Sequence, residues 1–204
     1  MWITDSSGDT QSVYVEAQPF GVELESGERF GIELIAQREV LDAPFAIQPN
    51  VTIPSGDYRF ERWRAELATS DKRPLSSRLS FEAGTFFDGD SDVALASLEW
   101  RQSRYFLLDS EFERDDVRLP GGDFVVNIAR LRAVALTSPD VSWSNFVQWD
   151  DESDALSLNS RLWWILAPGS EAFFVVNQGW QHASPHFAAS TTDVALKFGY
   201  TFRF

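Results

Sequence analysis

Residues 193–204 read DVALKFGYTFRF, and they set the reading of the whole chain. From Val194 every second side chain is apolar: Val194, Leu196, Phe198, Tyr200, Phe202 and Phe204. The residues between them, Ala195, Lys197, Gly199, Thr201 and Arg203, are small or polar. In an extended strand the two sets point to opposite faces. Termini ordinarily fray into water, so an aromatic ladder that runs to the final residue asks for an apolar surrounding. A strand with lipid on one side and a wet interior on the other has this pattern.

Ten further segments upstream read as strands: 13–24, 29–37, 57–68, 75–87, 93–100, 105–113, 124–136, 141–149, 156–166 and 172–180. The alternation in 13–24 shifts at Gln18-Pro19, which predicts a bulge there, and that in 57–68 is imperfect. Each segment has about ten residues, the length a tilted strand needs to cross a bilayer. None has helical periodicity. The fold class expected is therefore all-β, an antiparallel up-and-down transmembrane β-barrel of about eleven strands over 13–204, preceded by a polar segment, 1–12. Single-chain bacterial barrels close with even strand numbers. An odd count therefore suggests the C-terminal part of a larger even-stranded barrel. The start, MWITDSSGDTQS, has no basic region followed by an apolar run and so no signal peptide. Either a signal peptide was removed or the chain is the C-terminal part of a longer protein, and the second is preferred.

Connections alternate in length along the chain. The long set is 41–56, 88–92, 115–123, 150–154 and 181–192; the short set is 25–28, 69–74, 101–104, 138–140 and 168–170. Outer-membrane barrels have longer external loops and short periplasmic turns, which predicts a bacterial outer-membrane location with the C-terminus periplasmic. The long set carries most of the acids in a chain of net charge −14. That charge argues against nucleic acid as a partner, since phosphate repulsion would be unopposed. It leaves outer-membrane lipid and lipopolysaccharide as expected neighbours.

Eight tryptophans and 14% aromatic residues suit the girdles at the edges of a membrane band. Trp100, Tyr105, Trp143, Trp164 and Phe202 fall near one set of strand ends; Tyr58, Phe86, Phe87, Trp149 and Trp180 fall near the other. Polar residues alternating with the apolar ones, namely Asp109, Glu111, Glu113, Asn159, Arg161, Lys197 and Arg203, are candidates to line a lumen. There they would either set a pore's selectivity or pair with one another and plug it.

Signals for chemistry are weak. Asp88, Asp90, Asp92 and Glu99 have partial calcium-loop spacing, but Val93 stands where an EF-hand needs glycine. Asp150, Asp151, Glu152 and Asp154 sit on a loop tip without the cleft that paired carboxylates need for glycoside chemistry. His182 and His186 flank Pro185 and lack the acid of a zinc-protease helix. No catalytic residue, metal site or cofactor is assigned.

The ending resembles the signal by which outer-membrane barrels are recognised by the barrel-assembly machinery, with Phe198, Tyr200, Phe202 and Phe204 as its residues. A wider resemblance covers Gly56 onward. The LPGG loop (119–122), FVQW (146–149), LSLNSRLWW (156–164), APGSE (167–171) and the aromatic ending are similar to a bacterial outer-membrane barrel domain of unknown function. Members of that family often carry an N-terminal module similar to family-nine carbohydrate-binding domains. The resemblance implies a non-enzymatic membrane anchor or conduit for a carbohydrate-related envelope protein, with carbohydrate met through a module absent from this chain. The competing classes are a soluble β-sandwich that binds sugar through Trp faces and a hydrolase whose barrel holds catalytic loops.

Overall fold

The computed structural model describes residues 2–4, 10–183 and 186–202. They form fourteen strands: β1 (Trp2–Thr4), β2 (Thr10–Glu23), β3 (Arg29–Leu41), β4 (Phe45–Gln48), β5 (Val51–Ile53), β6 (Gly56–Ala68), β7 (Leu75–Phe86), β8 (Gly89–Ser103), β9 (Phe106–Leu119), β10 (Gly122–Ser138), β11 (Val141–Asp150), β12 (Ala155–Ala167), β13 (Ser170–Ala183) and β14 (His186–Tyr200). Twelve make one sheet in which each strand lies beside its neighbour in sequence, while β4 and β5 pair only with each other. The fold is thus an all-β, antiparallel up-and-down sheet, and its eleven long strands correspond to the eleven segments read from the sequence. A sandwich would divide these strands between two facing sheets; here one hydrogen-bonded order holds them.

The β2–β3 register breaks between Ala17 and Phe20, which places a bulge at Gln18-Pro19. Proline has no N–H to give the ladder, so the strand kinks around it. The connections correct the loop-length expectation. Only residues 87–88 separate β7 from β8, only 120–121 separate β9 from β10, and only 151–154 separate β11 from β12. The acidic stretches 88–92 and 115–123 belong largely to the strands, because period-two alternation continues through them. The long connection that remains is 42–55, which Pro44, Pro49 and Pro54 keep out of the main ladder.

Two compact units make up the chain. The first holds Met1–Ser70, Arg78–Ala96 and Glu113–Val126. Its β2–β3–β6–β7 registers put Phe30, Ile32, Leu34, Trp63, Ala65, Leu67, Leu79 and Phe81 on one face. Most of these large side chains are 40–52% exposed, Leu34, Leu67 and Leu79 the most. The opposite face carries Glu33, Arg62, Arg64, Glu66 and Glu82. This unit thus leaves its apolar residues exposed and pairs its charges on the more covered face.

That polarity reverses within β6. From Arg62 onward the charged set is Arg62, Arg64 and Glu66, opposite Trp63, Ala65 and Leu67. Before Arg62 the phase flips: Tyr58 and Phe60 are buried on the Arg62 face, while Asp57, Arg59 and Glu61 are exposed on the Trp63 face. β9 repeats the flip, with Val117 and Leu119 buried and Arg118 exposed. β3 agrees: Arg38 stands opposite Arg59, four residues beyond Leu34 opposite Trp63.

The second unit holds Asp71–Ser77, Ser97–Phe112 and Asn127–Phe204. Its ladders align Trp143, Leu162, Phe174 and Leu196 in one row, and Trp164, Ala172 and Phe198 in the adjacent one. Further along, Ala129, Trp149, Leu156 and Trp180 form another row on the same face. Six residues separate Trp143 from Trp149 on β11, about 20 Å at strand rise.

Candidate functional site: a polar cluster beneath the 42–55 hairpin

The first unit's Arg62 face holds a bonded polar cluster. Arg62 Nε donates to Glu82 Oε1 at 2.5 Å, and Arg64 donates to Glu82 Oε2 at 2.7–2.9 Å and to Glu33 Oε2 at 2.9 Å. Glu82 therefore bridges two guanidinium groups. The Arg62 and Glu82 side chains are only 8% and 17% exposed, and such charges tolerate burial when they are paired and hydrogen-bonded. Arg62 also spans a strand: its Nη1 donates to Ser91 Oγ on β8 at 2.7 Å. The residue facing it on β7 is Gly84. A side chain there would begin 2.7 Å from Arg62 Cα and 3.1 Å from its Cγ, and Gly84 has φ +153°. The missing side chain leaves Arg62 its path.

Tyr14 donates to Glu16 at 2.6 Å on β2. Arg62, Arg64, Glu82, Ser91, Asp115 and Tyr14 line a cavity of about 280 Å³, whose remaining wall includes Phe60, Phe86 and Val117. Charges and apolar residues therefore meet in one space, at the level where the faces exchange polarity.

Beyond the charges lies the apolar cluster. Val51 and Ile53 from β5 pack with Tyr58, Phe60, Val117 and Leu119, flanked by Leu41, Ile47, Phe86, Phe87 and Phe124. Val51 and Ile53 are 6% and 3% exposed, and their burial contributes roughly 1.5–3 kcal/mol each. The Tyr58 hydroxyl donates to Pro54 O at 2.8 Å and ties down the end of the connection. The Phe87 ring lies 5.0 Å from Tyr58, 5.2 Å from Phe60 and 4.7 Å from Phe86. Phe87 adopts φ 51°, a left-handed conformation costly for a bulky residue and held here by those rings. The LPGG stretch acquires a role as well. Leu119 is buried, and a Cβ at Gly121 or Gly122 would come within 3.4 or 3.2 Å of Val51.

These placements correct one part of the girdle. Tyr58, Phe86 and Phe87 lie on the Arg62 face in the apolar cluster, because the phase flip turns them away from the Trp63 face. Trp143, Trp149, Trp164 and Trp180 occupy the rows of the second unit described above. Trp100 and Tyr105 are 41% and 48% exposed there. Of the ending, Phe198, Tyr200 and Phe202 are 67%, 66% and 73% exposed, whereas Arg203 and Phe204 lie outside the described residues.

Of the lumen candidates, Asp109 and Glu111 line a second cavity of about 330 Å³ with Glu99, Arg130 and Arg132. Glu111 pairs with Arg130. Asn159 donates to Asn177, Arg161 lies 4.8 Å over the Phe173 ring, and Lys197 stands opposite Phe173. Glu113 is half-buried in the first unit. Sequence reading missed Arg62, Arg64, Glu82 and Ser91, although Arg and Glu at alternate positions in RWR (62–64) and FEAG (81–84) were a usable signal.

Several of the acids considered for chemistry have structural partners. Asp92 pairs with Arg118 at 2.8 Å, Asp150 accepts from Ser153, and Asp151 accepts from Asn127. The His182 ring packs on Phe187 at 5.4 Å. Among the described residues no group of three or more His, Cys, Asp or Glu is placed to hold a metal ion.

No protein-family model matches the chain, and no curated protein matches it. Among solved structures it is similar to the one titled "NanC porin structure in rhombohedral crystal form", at 8% identity and a TM-score of 0.37, over 95% of this chain and 93% of that one.

Proposed function

We propose that the chain is an integral outer-membrane β-barrel domain serving as membrane anchor or conduit. One observation carries this: each compact unit leaves an apolar row exposed, Trp63, Leu67 and Leu79 in the first and Leu196 and Phe198 in the second, and in the first the charges pair on the opposite face. A protein in water rarely leaves so large an apolar surface uncovered. Lipid removes the cost, and each of the eleven long strands is long enough to cross a bilayer at a tilt. The edges of the sheet, β1 and β14, would need partners, since unpaired backbone is not tolerated in hydrocarbon. Those partners would come from closure or from further strands of a longer protein.

In this reading the charged ends of β3, β6 and β9 stand outside the bilayer among lipopolysaccharide, the C-terminus is periplasmic, and the assembly machinery reads the aromatic ending. The resemblance of the C-terminal part supports a carbohydrate-related envelope protein as the setting. Deleting Phe204 tests the reading in cells: the protein should fall in abundance and leave the outer-membrane fraction. Unchanged abundance and fractionation would contradict it.

A further inference from the structure

We propose that the 42–55 connection is a plug, in which β4 and β5 seat Val51 and Ile53 in an aromatic box and close the polar cavity beneath. The proposal rests on the conduit reading above. Three observations carry it. First, a wet interior has no use for buried apolar side chains, yet Val51, Ile53, Tyr58, Phe60, Val117 and Leu119 are packed together on the charged face of the first unit. They adjoin the cavity lined by Arg62, Arg64, Glu82 and Asp115.

Second, the hairpin forms no ladder with the main sheet among the described residues. Its three prolines bar it from one, and a two-stranded hairpin is marginal alone. Its position therefore depends on side-chain packing and on side-chain hydrogen bonds such as those from Tyr58 to Pro54 O and from Gln11 to Asp42. An element held in that way can leave without unzipping the wall. Third, the receiving surface is built for it. Phe87 keeps a left-handed backbone among three aromatic rings, and Gly121 and Gly122 leave room for Val51.

The test is conductance in planar lipid bilayers, with the heat-dependent gel shift of a folded barrel as the check on structure. Ile53→Asp should unseat the hairpin and raise conductance several-fold over the parent chain. Replacing residues 45–53 by a short Gly-Ser linker should do the same without a buried charge. The chain has no cysteine, so Val51→Cys with Gly121→Cys can fasten the hairpin. Oxidised, that double variant should hold conductance at or below the parent level. Should the parent insert and both unseating variants, folded and inserted, conduct no more than it does, the plug is overturned and the barrel reading stands. A parent chain that fails to insert at all overturns the barrel reading and the plug with it.

Discussion

Arg62 stands directly opposite Gly84 in the β6–β7 ladder, and its guanidinium passes over that glycine to reach Ser91 on β8. One absent side chain thus lets a single arginine tie three strands together. A Cβ at 84 would sit 2.2 Å from Glu61 O, closer than any packing allows. Gly84→Val should therefore destabilise the folded state by about 1–3 kcal/mol through backbone strain, with further loss from the displaced arginine. Ser91→Ala removes one hydrogen bond and should cost about 1 kcal/mol. Urea unfolding in lipid vesicles measures both, and equal midpoints for the two variants would contradict the role given to Gly84.

Glu82 is the shared acceptor of Arg62 and Arg64, so its loss should exceed that of either arginine. Glu82→Leu strands two cations, one of them 8% exposed, and breaking such a pair from one side costs about 3–5 kcal/mol. Arg64 is 32% exposed and water can replace its bonds, so Arg64→Leu should be the mildest of the three. The order Glu82→Leu, Arg62→Leu, Arg64→Leu, from most to least destabilised, is the expected outcome of the same unfolding experiment.

The strand count and the faces of β14 were legible because apolar–polar alternation is a period-two signal that packing does not override. Gln18-Pro19 was legible as a bulge for a similar reason: proline cannot serve the ladder, and the apolar phase shifts across it. What hid the site was the phase flip at Glu61 and Arg62. Read as one strand, 57–68 has charge on both parities and looks like a weak amphipath. Read in two halves, each half alternates cleanly. The same flip made 115–123 look like a loop, because Asp115, Asp116, Pro120 and Gly121 are turn-forming residues, whereas Val117 and Leu119 continue the strand under β5. The Arg62–Gly84–Ser91 relation depends on register between strands, which no local pattern in the sequence supplies.

Asp57 and Arg38 form a two-pronged pair at 2.7 and 2.8 Å on the charged strand ends beyond the apolar band. The hydrogen bonds from Arg38 hold the Asp57 carboxyl below its ordinary range. Its folded pKa is lower than its unfolded one, so the pair's stabilisation is present above the ordinary carboxylate pKa and fades as pH falls through the depressed value. Both groups are well exposed, so solvent screening keeps the effect small. Arg38→Gln should return Asp57 to an ordinary titration. Carbon-detected NMR of the Asp57 carboxyl in micelles would show the move upward, and an unchanged titration would contradict the pairing.

In the proposed barrel the exchange of polarity between Glu61 and Trp63 marks the edge of the lipid-facing surface. Single cysteines carrying a nitroxide label at 57, 59, 61, 63, 65 and 67, in a chain free of native cysteine, test it directly in vesicles. Labels at 63, 65 and 67 should collide with oxygen and not with a water-soluble nickel chelate, and labels at 57, 59 and 61 should show the reverse. Access of the nickel chelate to 63, 65 and 67 in the inserted, folded protein would contradict it.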